Sequence, residues 1–276
     1  LATGLDGSPM NAYDYISDFE RWHLVHFLQS LHSIKRGEAF LAINKITSKR
    51  IDRPITLGLE ESIWEKALET PIAIRPLRAR RNPVSSLTIR SVHNTKKIAI
   101  KIKWEDPTPD NILNNNYVDQ SAIQFAVDDS DIEDSPFYGM GEKGKIVNIW
   151  HWKADVRQKI IKSGKSKQKQ IAKNAKSLAG MFVNPFTESS VEEMNSRGIG
   201  ALTVQPLGDQ KLEGRGYWYD GHWNVVFIRN LEATSKWDID FSDKNQVILA
   251  FALWDGSKKE MNSNKMVSFW QVLIFR

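Results

Sequence analysis

The chain has 276 residues, of which 41% are hydrophobic and 26% are charged, and its formal net charge is +5. This balance is typical of globular proteins, and the longest apolar runs are far too short to span a bilayer. No cysteine is present, which excludes disulfides, thiolate nucleophiles and every metal site or covalent cofactor attachment that needs a cysteine of this chain.

The N-terminal region is predicted to be helical. Residues 13–33 repeat apolar side chains at three- and four-residue spacing, and Ser17 with Glu20 matches a capping box near the start of this stretch. The pattern predicts one short amphipathic helix.

From residue 38 onward, most segments are short, rich in β-branched or aromatic residues, and bounded by Pro, Asp, Asn or Gly. The segment 96–104 alternates between apolar residues and lysine, so we expect one of its faces to meet water. The predicted strands in this half of the chain are 38–46, 70–77, 85–92, 96–104, 120–127 and 145–152.

A basic segment then interrupts the strands. Between Lys153 and Lys176, nine basic residues stand against one acidic residue, so this segment carries +8 and the remainder −3 (5 − 8). It predicts a helix over roughly 153–180 with a face for solvent or for an acidic partner. The aromatic residues are not interleaved with these lysines as a nucleic-acid platform requires, so we expect no nucleic-acid partner.

Strands resume after the basic segment. Residues 215–231 predict a hairpin that turns at Asp220-Gly221, and 245–256 and 265–275 predict the remaining strands. These elements predict a mainly β protein: an antiparallel β-sandwich or distorted barrel with a helical insertion, plus a short N-terminal helical segment.

The sequence shows none of the common catalytic motifs, such as G-x-S-x-G, a P-loop or H-E-x-x-H, so we do not expect the chain itself to be an enzyme. Two residues nevertheless stand out. Met140 lies between Gly139 and Gly141, and Lys265 begins a strongly apolar segment. Considered singly, each has an ordinary explanation, because methionine fills core space and lysine extends to solvent.

Three sequence blocks change this interpretation. The motif G-M-G followed by VNIWHWKAD, then GRGYWYDGHWNVVFIRNL, then FALWDGSKKEMNSNKMVSFW, resembles the haem-b-binding gamma subunits of the ethylbenzene dehydrogenase and dimethylsulfide dehydrogenase group. These subunits belong to molybdenum oxidoreductases of the periplasmic type, with the related selenate and chlorate reductases and nitrite oxidoreductase. The resemblance covers about residues 38–276.

The resemblance implies a mostly β domain that holds one haem b, with a methionine and a lysine as axial ligands of the iron. By motif, these ligands would be Met140 and Lys265. Lys258 and Lys259 lie in the same loop as Lys265 and are the alternatives for the lysine ligand.

The resemblance also suggests the surroundings of the haem. Trp150 and Trp152 would form apolar walls of the pocket, while His151 is not expected to be a ligand. The candidates for pairing with the haem propionates are Arg215, Arg229 and Lys153.

The N-terminal residues 3–31, TGLDGSPMNAYDYISDFERWHLVHFLQSL, resemble the C-terminal end of a small class I cytochrome c. By that match Met10 would be a ligand of a haem c iron, but the C-x-x-C-H attachment motif is absent. Either the c-haem part lies upstream of this sequence, which we favour, or the helix serves only for packing. The expected division is a cytochrome-c-like remnant at 1–35 and a haem-b-binding β domain at 36–276.

The function implied is that of a non-catalytic electron-transfer subunit, of the nitrite-oxidoreductase type if a c-haem domain is fused to it. It would relay electrons between an iron–sulfur (beta) subunit, next to a molybdopterin (alpha) subunit, and a soluble cytochrome c. The expected compartment is the periplasm or an equivalent extracytoplasmic space, with no membrane span. The alternative is a carbohydrate-binding β-sandwich module, which would present exposed, coplanar tryptophans for stacking on sugars.

Overall fold

The computed structural model of the chain describes residues 42–58, 61–78, 80, 82–111, 117–128, 132–154, 159–161 and 190–276, together with Ser17. Apart from Ser17, the predicted N-terminal helix lies outside these residues, as do Met10 and nearly all of the predicted basic helix. No helix among the described residues is long and apolar enough to cross a membrane.

The described chain is built almost entirely from strands. A single short α-helix, α1 (Glu61–Glu65), precedes β2, and 3-10 turns occur at Leu207–Asp209 and Gly256–Lys258. The strands are β1 (Lys45–Arg50), β2 (Thr70–Ala73), β3 (Arg75–Pro76), β4 (Ser86–His93), β5 (Lys97–Glu105), β6 (Gln120–Ala126), β7 (Val147–Lys153), β8 (Lys159–Ile161), β9 (Val191–Ser196), β10 (Leu202–Val204), β11 (Glu213–Tyr219), β12 (His222–Asn230), β13 (Gln246–Trp254), β14 (Met266–Val267) and β15 (Gln271–Phe275).

All of these strands form one mixed sheet. Its order is β10-β9-β7-β6-β13-β15-β1-β4-β5-β12-β11-β8, with β2 beside β4 and β14 bridging β13 and β3. Most neighbours are antiparallel, but β1 runs parallel to both β15 and β4, and β8 runs parallel to β11. The predicted mainly β class is therefore confirmed, while the sheet is mixed rather than purely antiparallel and does not close into a barrel.

The sheet folds over on itself into two layers, and their inner faces enclose the main core. Trp150 of β7 lies with its ring centroid 6.4 Å from that of Phe227 of β12, although these strands are not hydrogen-bonded neighbours. Trp152 likewise faces Trp223 at 5.0 Å. We call the surface that β6, β7, β9 and β13 turn away from this core the outer face.

The predicted hairpin is confirmed in detail. Its strands are β11 and β12, and both turn residues have left-handed backbones, with φ 45° at Asp220 and 77° at Gly221. This geometry is the type I′ turn that an Asp-Gly pair favours.

Two local expectations need correction. The lysine face of β5 is only partly exposed to solvent, because α1 covers Lys101. The Lys101 amine lies 2.5 Å from Glu61 Oε1. The segment Lys159–Ile161, inside the predicted basic helix, forms the short strand β8, because its backbone pairs with that of β11.

Candidate functional site

The outer face carries its own apolar cluster, separate from the main core. Along each strand alternate side chains point to opposite sides, so β6 and β13 direct Ala122, Ala126, Ala250 and Ala252 outward while their larger neighbours point inward. Trp254, at the end of β13, belongs to the same cluster as Ile149 and Met194.

Met140 lies on a tight loop that packs against one end of the outer face. Its backbone φ is 85°, which is unusual for a residue other than glycine, and its carbonyl accepts a hydrogen bond from Gly198 N at 3.0 Å. Gly141 follows with φ 78°, and a Cβ there would come within 2.9 Å of the Lys145 carbonyl oxygen. The second glycine of the G-M-G motif is thus required by the loop itself.

Lys265 lies at the other end of the outer face and is 9% exposed. Its amine is 5.0 Å from the ring centroid of Trp254, and its carbonyl accepts a hydrogen bond from Leu77 N at 3.0 Å. Burial lowers the pKa of this amine to about 8. Lys258 and Lys259, the alternatives in the same loop, are both exposed.

The strand register relates these two ends. Trp254, which contacts Lys265, is paired with Gln120 of β6, whereas the side chain of Gln124 donates to the carbonyl of Tyr138 in the Met140 loop. Four residues of extended strand separate Gln120 from Gln124, which is roughly 13 Å. Met140 and Lys265 therefore lie at opposite ends of one face rather than side by side.

His151 lies on the outer face between β6 and β9, and its ring is already engaged. One ring nitrogen is 2.8 Å from Glu192 Oε1 and the other is 2.9 Å from Gln120 Oε1. Burial lowers the pKa of the imidazole. With both nitrogens in hydrogen-bond contact, this side chain has no free position for a metal.

The other predicted pocket residues lie elsewhere. Trp150 and Trp152 are fully buried in the inner core, on the opposite side of β7 from the outer face. Arg229 is buried there too, paired with Glu193 at 3.3 Å and Asp238 at 2.9 Å. These positions do not bring the three residues to the face that carries Met140 and Lys265.

The remaining basic candidates divide between the two layers. Arg215 is exposed on β11, in the layer opposite the Met140 and Lys265 face. Lys153 ends β7 on the outer side, where its amine is 2.9 Å from Glu192 Oε1. Of the basic residues predicted from the sequence, Lys153 alone shares a face with Met140 and Lys265.

A group of carboxylates was missed by sequence reasoning. Asp106, Asp119 and Asp255 are far apart in the chain, yet each offers an oxygen within 4.8 Å of the others. Burial, together with the neighbouring carboxylates, raises the pKa of Asp106 to about 7 and that of Asp119 to about 9. No local sequence motif predicts this group, because the three residues come together only through the pairing of strands.

The tryptophans in the described part of the chain do not form a stacking platform. Of the nine tryptophans that the structure describes, eight are buried and only Trp237 is exposed. This arrangement disfavours the carbohydrate-binding alternative, which requires several exposed rings in one plane.

Residues 61–266 match the family model described as ethylbenzene dehydrogenase. The chain belongs to the ethylbenzene dehydrogenase family. The match spans most of the described β structure, including Met140 and Lys265.

Curated relatives agree with this family. A putative respiratory nitrate reductase heme subunit of Haloferax mediterranei is 24% identical over 74% of this chain and 62% of that protein. The chlorate reductase subunit gamma of Ideonella dechloratans is 22% identical over 77% of each chain. The dimethylsulfide dehydrogenase subunit gamma of Rhodovulum sulfidophilum is 26% identical over 67% of this chain and 58% of that protein.

The chain thus spans about three fifths of the length of two of these relatives. Among solved structures, a putative carbohydrate-binding protein from Bacteroides uniformis aligns with a TM-score of 0.45 and 8% identity, covering 85% of this chain and all of that one. A likeness at this level does not bear on function.

Proposed function

We propose that the chain is a non-catalytic electron-transfer subunit that holds a haem b between Met140 and Lys265. The observation that carries this proposal is the buried lysine amine at one end of an apolar face whose other end carries Met140. Among the described residues, no carboxylate forms an ion pair with Lys265, and burial alone lowers its pKa.

The residues present fit a haem. A lysine amine can bind a metal only when it is deprotonated, and burial against Trp254 favours that neutral form. The alanines of the outer face supply small apolar side chains, and Tyr138, Met140 and Phe269 pack against the cluster they belong to. When bound, haem supplies one-electron redox chemistry, and the protein supplies ligands, position and dielectric.

The two proposed ligands have distinct roles. The thioether of Met140 is a soft neutral donor that favours the reduced iron and raises the potential. Lys265 would supply a harder, basic nitrogen donor to the same iron. Lys153, at the edge of the same face, is the proposed partner for a propionate.

The composition of the chain supports a non-covalently bound haem. Covalent c-type attachment needs cysteines, and this chain contains none. The β domain is therefore proposed to bind its haem without covalent bonds, as a haem b. A haem c, with Met10 as its ligand, would belong only to a domain upstream of this sequence.

The gamma-subunit relatives support an assembly with other redox subunits. We propose an iron–sulfur (beta) subunit and a molybdopterin (alpha) subunit as permanent partners, and a soluble cytochrome c as the exchange partner. A nitrite-oxidoreductase type of complex and an extracytoplasmic location belong to the same proposal.

The test is haem reconstitution of the purified protein. We expect a b-type pyridine haemochrome and a six-coordinate, low-spin spectrum. Met140→Ala and Lys265→Ala should each shift the spectrum towards high spin and weaken haem binding at least about tenfold, because each would remove a proposed ligand of the iron.

Lys258→Ala is the matched control, since it removes an exposed lysine from the same loop and should leave the spectrum unchanged. A protein that takes up no haem under these conditions would sink the proposal. A spectrum altered by Lys258→Ala but not by Lys265→Ala would move the ligand to Lys258.

A further inference from the structure

A buried ion pair fastens the loop that carries Lys265. The carboxylate of Glu260 pairs with the guanidinium of Arg80, and their side chains are only 1% and 13% exposed. Glu260 lies inside the loop, whereas Arg80 comes from the distant segment that follows β3. Burial lowers the pKa of Arg80 while Asp255 opposes that change.

Each partner of this pair makes a second contact that reaches an end of the loop. Glu260 Oε2 accepts a hydrogen bond from Asp255 N at 2.7 Å, at the start of the loop. Arg80 Nη2 is 2.7 Å from the sulfur of Met266, the residue directly after Lys265. The ion pair thus contacts both ends of the loop, at Asp255 and at Met266.

The backbone next to Lys265 is held from the same side. Leu77 N donates to the Lys265 carbonyl oxygen at 3.0 Å, and Met266 is paired with Pro76 in the β14–β3 ladder. Residues 75–78 and Arg80 therefore lie along the loop from Glu260 to Met266.

We infer that Arg80 and Glu260 are positioning residues that keep the Lys265 side chain buried on the outer face. A lysine amine is better solvated in water than in a protein interior, so a free loop would let it swing out. A loop tied at Asp255, Glu260 and Met266 removes that freedom. The inference rests on the proposed function, because it concerns the proposed lysine ligand.

The first experiment needs no haem. In the apoprotein, the rate at which acetic anhydride modifies Lys265 is measured by mass spectrometry at one fixed, mildly alkaline pH. Glu260→Gln should raise this rate about tenfold or more, which corresponds to about 1.4 kcal/mol in the opening equilibrium.

Glu193→Gln is the matched control. Glu193 is also a buried glutamate paired with a buried arginine, Arg229, but it lies in the inner core away from the loop. This substitution should lower thermal stability yet change the modification rate of Lys265 by less than about twofold. Equal acceleration in both variants would show general loosening and would overturn the inference.

The second experiment uses the haem-reconstituted protein. Glu260→Gln should show a larger high-spin fraction than wild type, as expected when the lysine ligand is released, whereas Glu193→Gln should keep the wild-type spectrum. Unchanged spectra and unchanged labelling in Glu260→Gln would overturn the inference. Faster labelling in a protein that binds no haem would uphold it and refute the proposed function instead.

Arg80→Lys is a second variant of the same ion pair, for the case in which Glu260→Gln does not fold. Lysine retains the positive charge but cannot contact Glu260 and Met266 together, because it lacks the guanidinium fork. We expect Lys265 labelling between the rates of wild type and Glu260→Gln. A rate equal to wild type in this variant would count against the positioning role.

Discussion

The strands β6, β7 and β13 present two faces built from different residues. Inward they direct large side chains such as Phe125, Trp150 and Leu253, which are completely buried. Outward, β6 and β13 carry alanines, and at the ends of that face lie Met140 and Lys265. The same backbone thus supports two apolar clusters, one of large side chains inside and one with several small side chains outside.

The difference suggests that one face serves stability and the other serves binding. The inner face is close-packed, so its side chains account for stability and leave no space for another group. The outer face combines small apolar side chains with a buried amine and a thioether, and these are the features on which the proposed haem site rests. Variants at neighbouring positions of one strand can test this division.

The largest effect is expected at Leu253, whose side chain is fully buried in the inner core. Leu253→Ala should lower the free energy of unfolding by about 2–5 kcal/mol, because it leaves a cavity. Chemical denaturation of the apoprotein measures this loss. A change below about 0.5 kcal/mol would contradict the picture of a close-packed interior.

A smaller effect is expected at the end of the inner region, where Asp106 and Asp119 lie together. Their folded pKa values, about 7 and about 9, are above the usual 3.8. The stability they contribute is therefore complete below about pH 4 and is lost as the pH rises to about 9. Denaturation at several pH values should show this decline.

Asp106→Asn sharpens this prediction. Asp106 is already protonated at low pH, and the amide oxygen of asparagine can still accept the hydrogen bond from Thr108 N. Removing its charge should reduce the loss of stability between low and high pH by about 1–3 kcal/mol. Asp243→Asn, at an exposed carboxylate, is the control, and an equal effect there would contradict the assignment.

The smallest effect on folding, with a clear effect on binding, is expected at Ala252. This residue precedes Leu253 but faces outward and is half-buried. Ala252→Phe should weaken haem binding about tenfold, or 1.4 kcal/mol, because the ring occupies the space above the strand. Haem titration measures the affinity, and denaturation of the apoprotein should show a change within about 1 kcal/mol. Undiminished affinity would place the haem elsewhere.

Much of the strand pattern could be predicted, because β-branched and aromatic runs between turn residues are local signals. The predicted 120–127 and 245–256 closely match β6 and β13, and Asp220-Gly221 gave the correct turn. The predicted 38–46 is tested only from residue 42 onward, and there β1 begins at Lys45. Its pairing with β15 and β4 depends on residues far away in the chain.

Which side of a strand faces the core was harder to predict. In β7, Trp150 and Trp152 alternate with Ile149 and His151, so both sides are apolar or aromatic and the pattern does not choose between them. Arg229 ends a hydrophobic strand and resembles a surface residue, but Glu193 and Asp238 pair with it inside the core. Such partners are brought together by tertiary structure alone.

Strand β1 has a consequence for how the molecule is made. It is the link in the strand order between the two layers, and its hydrogen-bonded neighbours are β4 and the late strand β15. Asn44 N, just before β1, bonds the side chain of Gln271 across 227 residues of sequence. During synthesis, one edge of β1 must therefore wait until nearly all of the described chain has been translated. The pairing of β1 with β15 is therefore expected to be a late and slow step of folding. Until it forms, the unpaired edge of β1 can pair with other chains and promote aggregation.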